Sequence, residues 1–167
     1  MKLLKSLFVL FVAVSLVSCS SDDDNQYTLN NANLSGIYNV TMLNTTETQT
    51  TDVNGADIIT VTTTVGDTFE LTVDFDEDGS YVINGAYRDS YLQTVAGETV
   101  DEGAEIIFID NETGDFSTSN STMTMVLDGE VYEVELFNQN ELRITSEDVE
   151  IFNGDEYIYT SEIRMVR

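Results

Sequence analysis

Between residues 68 and 75, large apolar side chains occupy every second position. Phe69, Leu71, Val73 and Phe75 alternate with Thr68, Glu70, Thr72 and Asp74. A period of two places one set on one face of an extended strand, whereas helical faces recur every three to four residues. The same rhythm returns in Tyr38, Val40 and Met42, in Met123, Met125 and Leu127, and in Tyr132, Val134 and Leu136. Leu142 with Ile144 follows, and Tyr157, Tyr159, Ile163 and Met165 close the chain. Residues 58–65 are rich in Ile, Val and Thr, which favours a further strand. Gly66-Asp67, Asp128-Gly129 and Asn153-Gly154 predict short hairpin turns, and Asp76-Glu77-Asp78-Gly79 a longer one. Residues 87–103 are the least regular and predict either a long loop or a weakly marked strand.

Closely spaced hairpins without an amphipathic helix exclude the crossovers that parallel sheets need. The expectation is one all-β domain over residues 34–167, an antiparallel up-and-down meander of eight or nine strands. Closing the meander into a β-barrel removes exposed edges, and the chain has no proline to guard one. A two-sheet β-sandwich is the alternative.

The first residues do not belong to that pattern. Lys2 and Lys5 precede an apolar run over 7–16 that is too short to cross a bilayer, which takes roughly 20 residues. Leu16-Val17-Ser18-Cys19 resembles the lipobox of bacterial lipoproteins. The resemblance implies a signal peptide over 1–18, cleavage before Cys19, and lipid on that residue. Ser20-Ser21-Asp22-Asp23-Asp24 resembles the acidic export signal of Bacteroidota-type surface lipoproteins, which implies display on the outer membrane; a solvated acidic linker is the plain alternative. Residues 19–33 are then a lipidated, acidic, flexible tether. Cys19 is the sole cysteine, so the domain folds without a disulfide.

Charge and missing residue types narrow the chemistry. Both lysines lie in residues 1–18 with no acid, so removing that segment takes the formal charge from −25 to −27. Such a field opposes nucleic acid and anionic membrane surfaces, leaving the lipid to hold the membrane. Without histidine the usual general base and commonest transition-metal ligand are absent, and without lysine so is Schiff-base chemistry. Only carboxylate chemistry survives, and with 31 acids some pair of carboxylates is inevitable, so no enzyme activity is expected. Asp74-Phe75-Asp76-Glu77-Asp78-Gly79 matches the start of a calcium loop, but Gly85 stands where the bidentate Glu belongs. A hairpin turn explains it better; neither a metal nor a cofactor is expected.

Leu34-Ser35-Gly36-Ile37-Tyr38-Asn39-Val40-Thr41 resembles the opening Gly-x-Trp strand of lipocalin-like domains in bacterial surface lipoproteins, with Tyr38 in place of Trp. Thr68-Phe69, Phe75 and Asp78-Gly79-Ser80-Tyr81 resemble their central hairpin. Met123-Thr124-Met125, Tyr132-Glu133-Val134, Asn140-Glu141-Leu142 and a last strand ending at Arg167 resemble their closing pattern. The resemblance implies a lipocalin-like barrel whose closed end pairs Tyr38 with Arg164 or Arg167, against the alternative of an ordinary core tyrosine and a solvated arginine. It also implies a cavity for a small apolar or amphiphilic ligand, with Phe69, Leu71, Val73, Phe75, Met123 and Met125 as wall candidates. The same bulky side chains suit a filled barrel, an interaction module whose partner is another surface protein.

Overall fold

The structure, a computed structural model, describes residues 27–167. Cys19 and the Ser20–Asp24 motif lie outside them. A four-residue helix, α1 (Asn31–Leu34), leads into eight strands: β1 (Gly36–Val53), β2 (Ala56–Phe75), β3 (Ser80–Val95), β4 (Glu98–Ser119), β5 (Thr124–Leu127), β6 (Glu130–Phe137), β7 (Glu141–Phe152) and β8 (Asp155–Val166). Each strand pairs antiparallel with the next, and β8 returns to β1 through pairs such as Val40 with Met165 and Leu43 with Ile163. The all-β meander is thus a closed ring of eight strands.

Two-residue turns join most of the hairpins. Asn54-Gly55, Ala96-Gly97, Asp128-Gly129 and Asn153-Gly154 each hold both residues at positive φ, the type I′ geometry whose twist matches the flanking strands. Asp76–Gly79 connects β2 to β3, with Asp78 Oδ1 accepting from the Ser80 amide at 3.0 Å and its hydroxyl at 2.7 Å. Those bonds, led by the hydroxyl, hold the Asp78 carboxyl below its usual range. The carboxylate is engaged inside its own turn, and among the described residues no three potential metal ligands gather.

Two sequence expectations need correction, and an open one is decided. Gly66-Asp67 is not a turn: β2 runs through it as one strand of 20 residues, with a bulge between Asp67 and Glu70 and Thr68 at φ 54°. Gly66 is buried there, and an added Cβ would meet the Phe69 ring at 2.8 Å, so the position suits glycine. Of the two alternatives for residues 87–103 the strand holds: they form the end of β3, the Ala96-Gly97 turn and the start of β4. The tether expected to reach residue 33 is packed from Tyr27 onward: Leu29 and Leu34 are buried, Tyr27 lies 5.0 Å from the Phe137 ring, and the Leu29 amide donates to Asn120 Oδ1 at 3.0 Å.

Bulges also decide which residues face inward. A register shift between Val40 and Met42 advances β1 by one position, so Leu43 rather than Met42 pairs with inward Ile163. A shift between Val134 and Leu136 likewise buries Phe137 on β6.

The buried core occupies one end of the ring. Phe75 stands edge-on to both Tyr38 and Phe116, with centroids 5.7 and 5.0 Å apart. Met125, Leu142, Ile144 and Met165 complete the packing, and α1 covers it from below. Beyond this layer the four long strands β1 to β4 continue, with β7 and β8, while β5 and β6 stop short. The sheet therefore flares open away from its core.

Candidate functional site

Against the packed end, inward residues of β1, β2, β3 and β8, with Ile109 of β4 and Leu127 of β5, line a partly open cavity of about 160 Å³. Leu71, Val73 and Phe75 form one wall; Tyr81, Ile83 and Tyr87 form the next; Leu43, Ile163 and Met165 face them. Period-two alternation makes this wall apolar, since successive strands present their inward sets at one level. Taking roughly 30 Å³ as one water's share of liquid, the space holds five or six carbon-sized groups.

Toward the flared end a second space, about 380 Å³, adjoins it across Leu43 and Ile163. Here the inward positions change character. Thr45, Thr62, Thr64, Glu47, Tyr132 and Tyr159 contribute hydroxyls and a carboxylate. Ser146 Oγ donates to Glu130 Oε1 at 2.9 Å and lies 2.7 Å from the Ser161 hydroxyl. Further out, Gln49 Nε2 donates to the Tyr157 hydroxyl and to Asp155 Oδ2, each at 2.9 Å, and the Tyr157 and Tyr159 rings stack at 6.2 Å.

The electrostatics run one way. Burial, then the charge of Glu130, pushes the Tyr132 hydroxyl well above its ordinary range. Burial, then Glu47 and Glu150, does the same to Tyr159. Asp89 and Glu105 face each other across β3 and β4, and the Asp89 carboxyl is raised by burial first and by Glu105 second. Among the described residues no cation offsets this field at the mouth. Arg88 pairs with Asp67 at 3.1 Å, while Arg143 and Arg164 share Glu141 at 3.1 and 2.8 Å.

The fourth arginine sits at the opposite end. The Arg167 guanidinium lies over the Tyr38 ring, 4.7 Å from its centroid. It also donates to the carbonyl oxygens of Asn33, Leu34 and Ser35 at 2.6, 3.0 and 2.9 Å. Those carbonyls end α1, so one side chain ties the last strand to the plug beneath the core. Tyr38 is fully buried with no hydrogen-bond partner for its hydroxyl, and burial pushes it up to about 12 against the opposing charge of Arg167.

Of the six wall candidates named from sequence, Leu71, Val73 and Phe75 line the cavity. Phe69 stands one layer away, stacked on the lining Tyr87 at 5.8 Å. Met125 is buried in the packed layer and Met123 rests against it, so neither reaches the cavity; Leu127 is the residue β5 supplies. Leu43 escaped the sequence pattern because the bulge hides its phase. Arg164, the other partner considered for Tyr38, is taken up by Glu141 instead.

A larger depression of about 780 Å³ lies outside the ring, over β6, β7, β8 and β1, among Glu133, Glu135, Glu147 and Glu162. It has no apolar floor comparable to that of the interior cavity. No protein-family model matches the chain, and no curated protein or solved structure matches it either.

Proposed function

We propose that this chain is a lipid-anchored outer-membrane lipoprotein, displayed on the cell surface, whose lipocalin-like domain binds a small amphiphile without catalysis. The observation that carries the reading is the apolar cavity lined by Leu71, Val73 and Phe75, adjoining a mouth of hydroxyls and carboxylates. An apolar enclosure with a few polar groups at one end orients a ligand tail-first. With every arginine engaged elsewhere, the mouth suits a neutral or cationic head and repels an anionic one. Anchoring rests on Cys19 and the segment before it; two or three acyl chains, at about 0.8 kcal/mol per buried methylene, hold a protein that one chain would only visit.

Leu71→Trp places an indole in the cavity and tests the assignment. Hexylammonium and hexanol should bind the parent protein while hexanoate does not. The variant should keep its fold by circular dichroism and lose at least tenfold in affinity for both ligands, roughly 1.4 kcal/mol. Unchanged uptake by a folded variant removes this wall from the site. The second reading, an interaction module for another surface protein, draws support from the unpaired sheet edges at the flared end.

A further inference from the structure

Closure of the ring is confined to its packed end. β5 is four residues long, and on β4 it reaches only Phe116, Ser117, Thr118 and Ser119. From residue 98 to 114, β4 has β3 on one side and, among the described residues, no strand on the other. Backbone donors and acceptors along that stretch face solvent, a template for another strand. The corresponding edge of β7 is shorter, since β6 pairs it as far as Thr145 and the strand ends at Phe152.

Side chains on this edge specify a partner. Ile106 and Phe108, paired with Arg88 and Ala86, lie on the outer face, and Phe108 is 79% exposed, the highest value among the large apolar side chains of the described residues. Glu98, Asp101, Glu102, Glu105, Asp110 and Glu112 line the same strand. Arg88 on the neighbouring strand is held by Asp67, leaving these carboxylates without a counter-charge there. A second copy placed edge to edge would stack two such rows of acids, and like charges directly opposite one another are destabilising. An incoming strand with basic side chains meets the opposite situation.

We propose that the free edge of β4, residues 98–114, docks an extended, cationic segment of another protein that joins the sheet as an added strand. Backbone hydrogen bonds supply the attachment, apolar side chains of the segment cover Ile106 and Phe108, and its lysines or arginines meet the acids. The site is separate from the interior cavity, so the two can fail independently.

Hydrogen exchange on the purified full chain in detergent tests this. The probe is a synthetic peptide of alternating Lys and Val, about twelve residues long, matching the reach of an added strand. It should slow amide exchange over 98–114 by about tenfold or more, and less so at high salt. A Glu-Val peptide and an equally charged Lys peptide interrupted by proline should leave the edge unprotected. Replacing Glu98→Gln, Asp101→Asn, Glu102→Gln and Asp110→Asn together should cost about tenfold in affinity for the Lys-Val peptide, with the fold unchanged. Protection by the proline-interrupted peptide, protection confined to β7, or no protection overturns the proposal. Concentration-dependent protection without peptide assigns the edge to a second copy and overturns it too.

Discussion

The two ends of this sheet are built from the same strands and obey opposite rules. At the packed end, Tyr38, Phe75, Leu142 and Ile144 are each at most 1% exposed, and every strand has two neighbours. At the flared end the inward positions of β1 and β2 become Thr45, Glu47, Thr62 and Thr64, and β4 and β7 each lose a neighbour. Strand length alone does not make a core: apolar inward residues and ring closure coincide only in the lower part. Buried apolar packing is concentrated at the first end, and polar inward groups and unpaired strand edges at the second.

Truncation at each end breaks or sharpens this contrast. Phe75→Ala removes the ring against which Tyr38 and Phe116 pack, and should cost about 3–5 kcal/mol in denaturant unfolding. Thr62→Ala at the flared end should change stability by less than about 0.5 kcal/mol. Comparable costs at both ends would contradict the division. Gly85→Ala should come next, at about 2–4 kcal/mol. Gly85 has φ 130°, and an added Cβ would run into the Glu70 carbonyl oxygen at the edge of the bulge.

Arg167→Ala removes the cation over Tyr38 and three bonds to the end of α1, for about 1–2 kcal/mol. Arg164→Ala gives up an exposed ion pair with Glu141 and should cost about 0.5 kcal/mol at most. Equal effects of the two substitutions would mean that Arg167 does not tie the closed end.

Alkaline pH probes the packed end through Tyr38. The folded Tyr38 hydroxyl is raised from 10.0 to about 12, so over that interval the folded state keeps a proton the unfolded chain has released. Stability from this group is complete below pH 10 and is lost as pH rises toward 12. Tyr38→Phe should flatten part of that loss while changing neutral-pH stability little, because the hydroxyl has no partner to lose. Unfolding curves at neutral and alkaline pH check both points.

Much of this was legible in the chain. Alternation found the inward sets of β2, β7 and β8 and of β6 as far as Val134, and the Asp128-Gly129 and Asn153-Gly154 turns stand where Gly-containing pairs signalled them. Gly66-Asp67 misled because its composition is that of a turn, whereas the fold uses the glycine to admit Phe69 beside a bulge. Ala96-Gly97 went unseen because alanine rarely adopts positive φ, so its sequence carries little turn signal. Leu43 and Phe137 were hidden by one-residue register shifts, which reverse the inward phase without altering the local pattern. The free edge of β4 depends on where β5 stops pairing, a long-range fact that no local window contains.

The proposed function requires an amphiphile in the apolar cavity beneath the acidic mouth. Native mass spectrometry of residues 20–167, expressed without Cys19 and followed by denaturing extraction, tests it most directly. One neutral or cationic small molecule per chain, lost in Leu71→Trp, is the predicted result. A bare polypeptide mass that persists after incubation with hexylammonium and hexanol would contradict it.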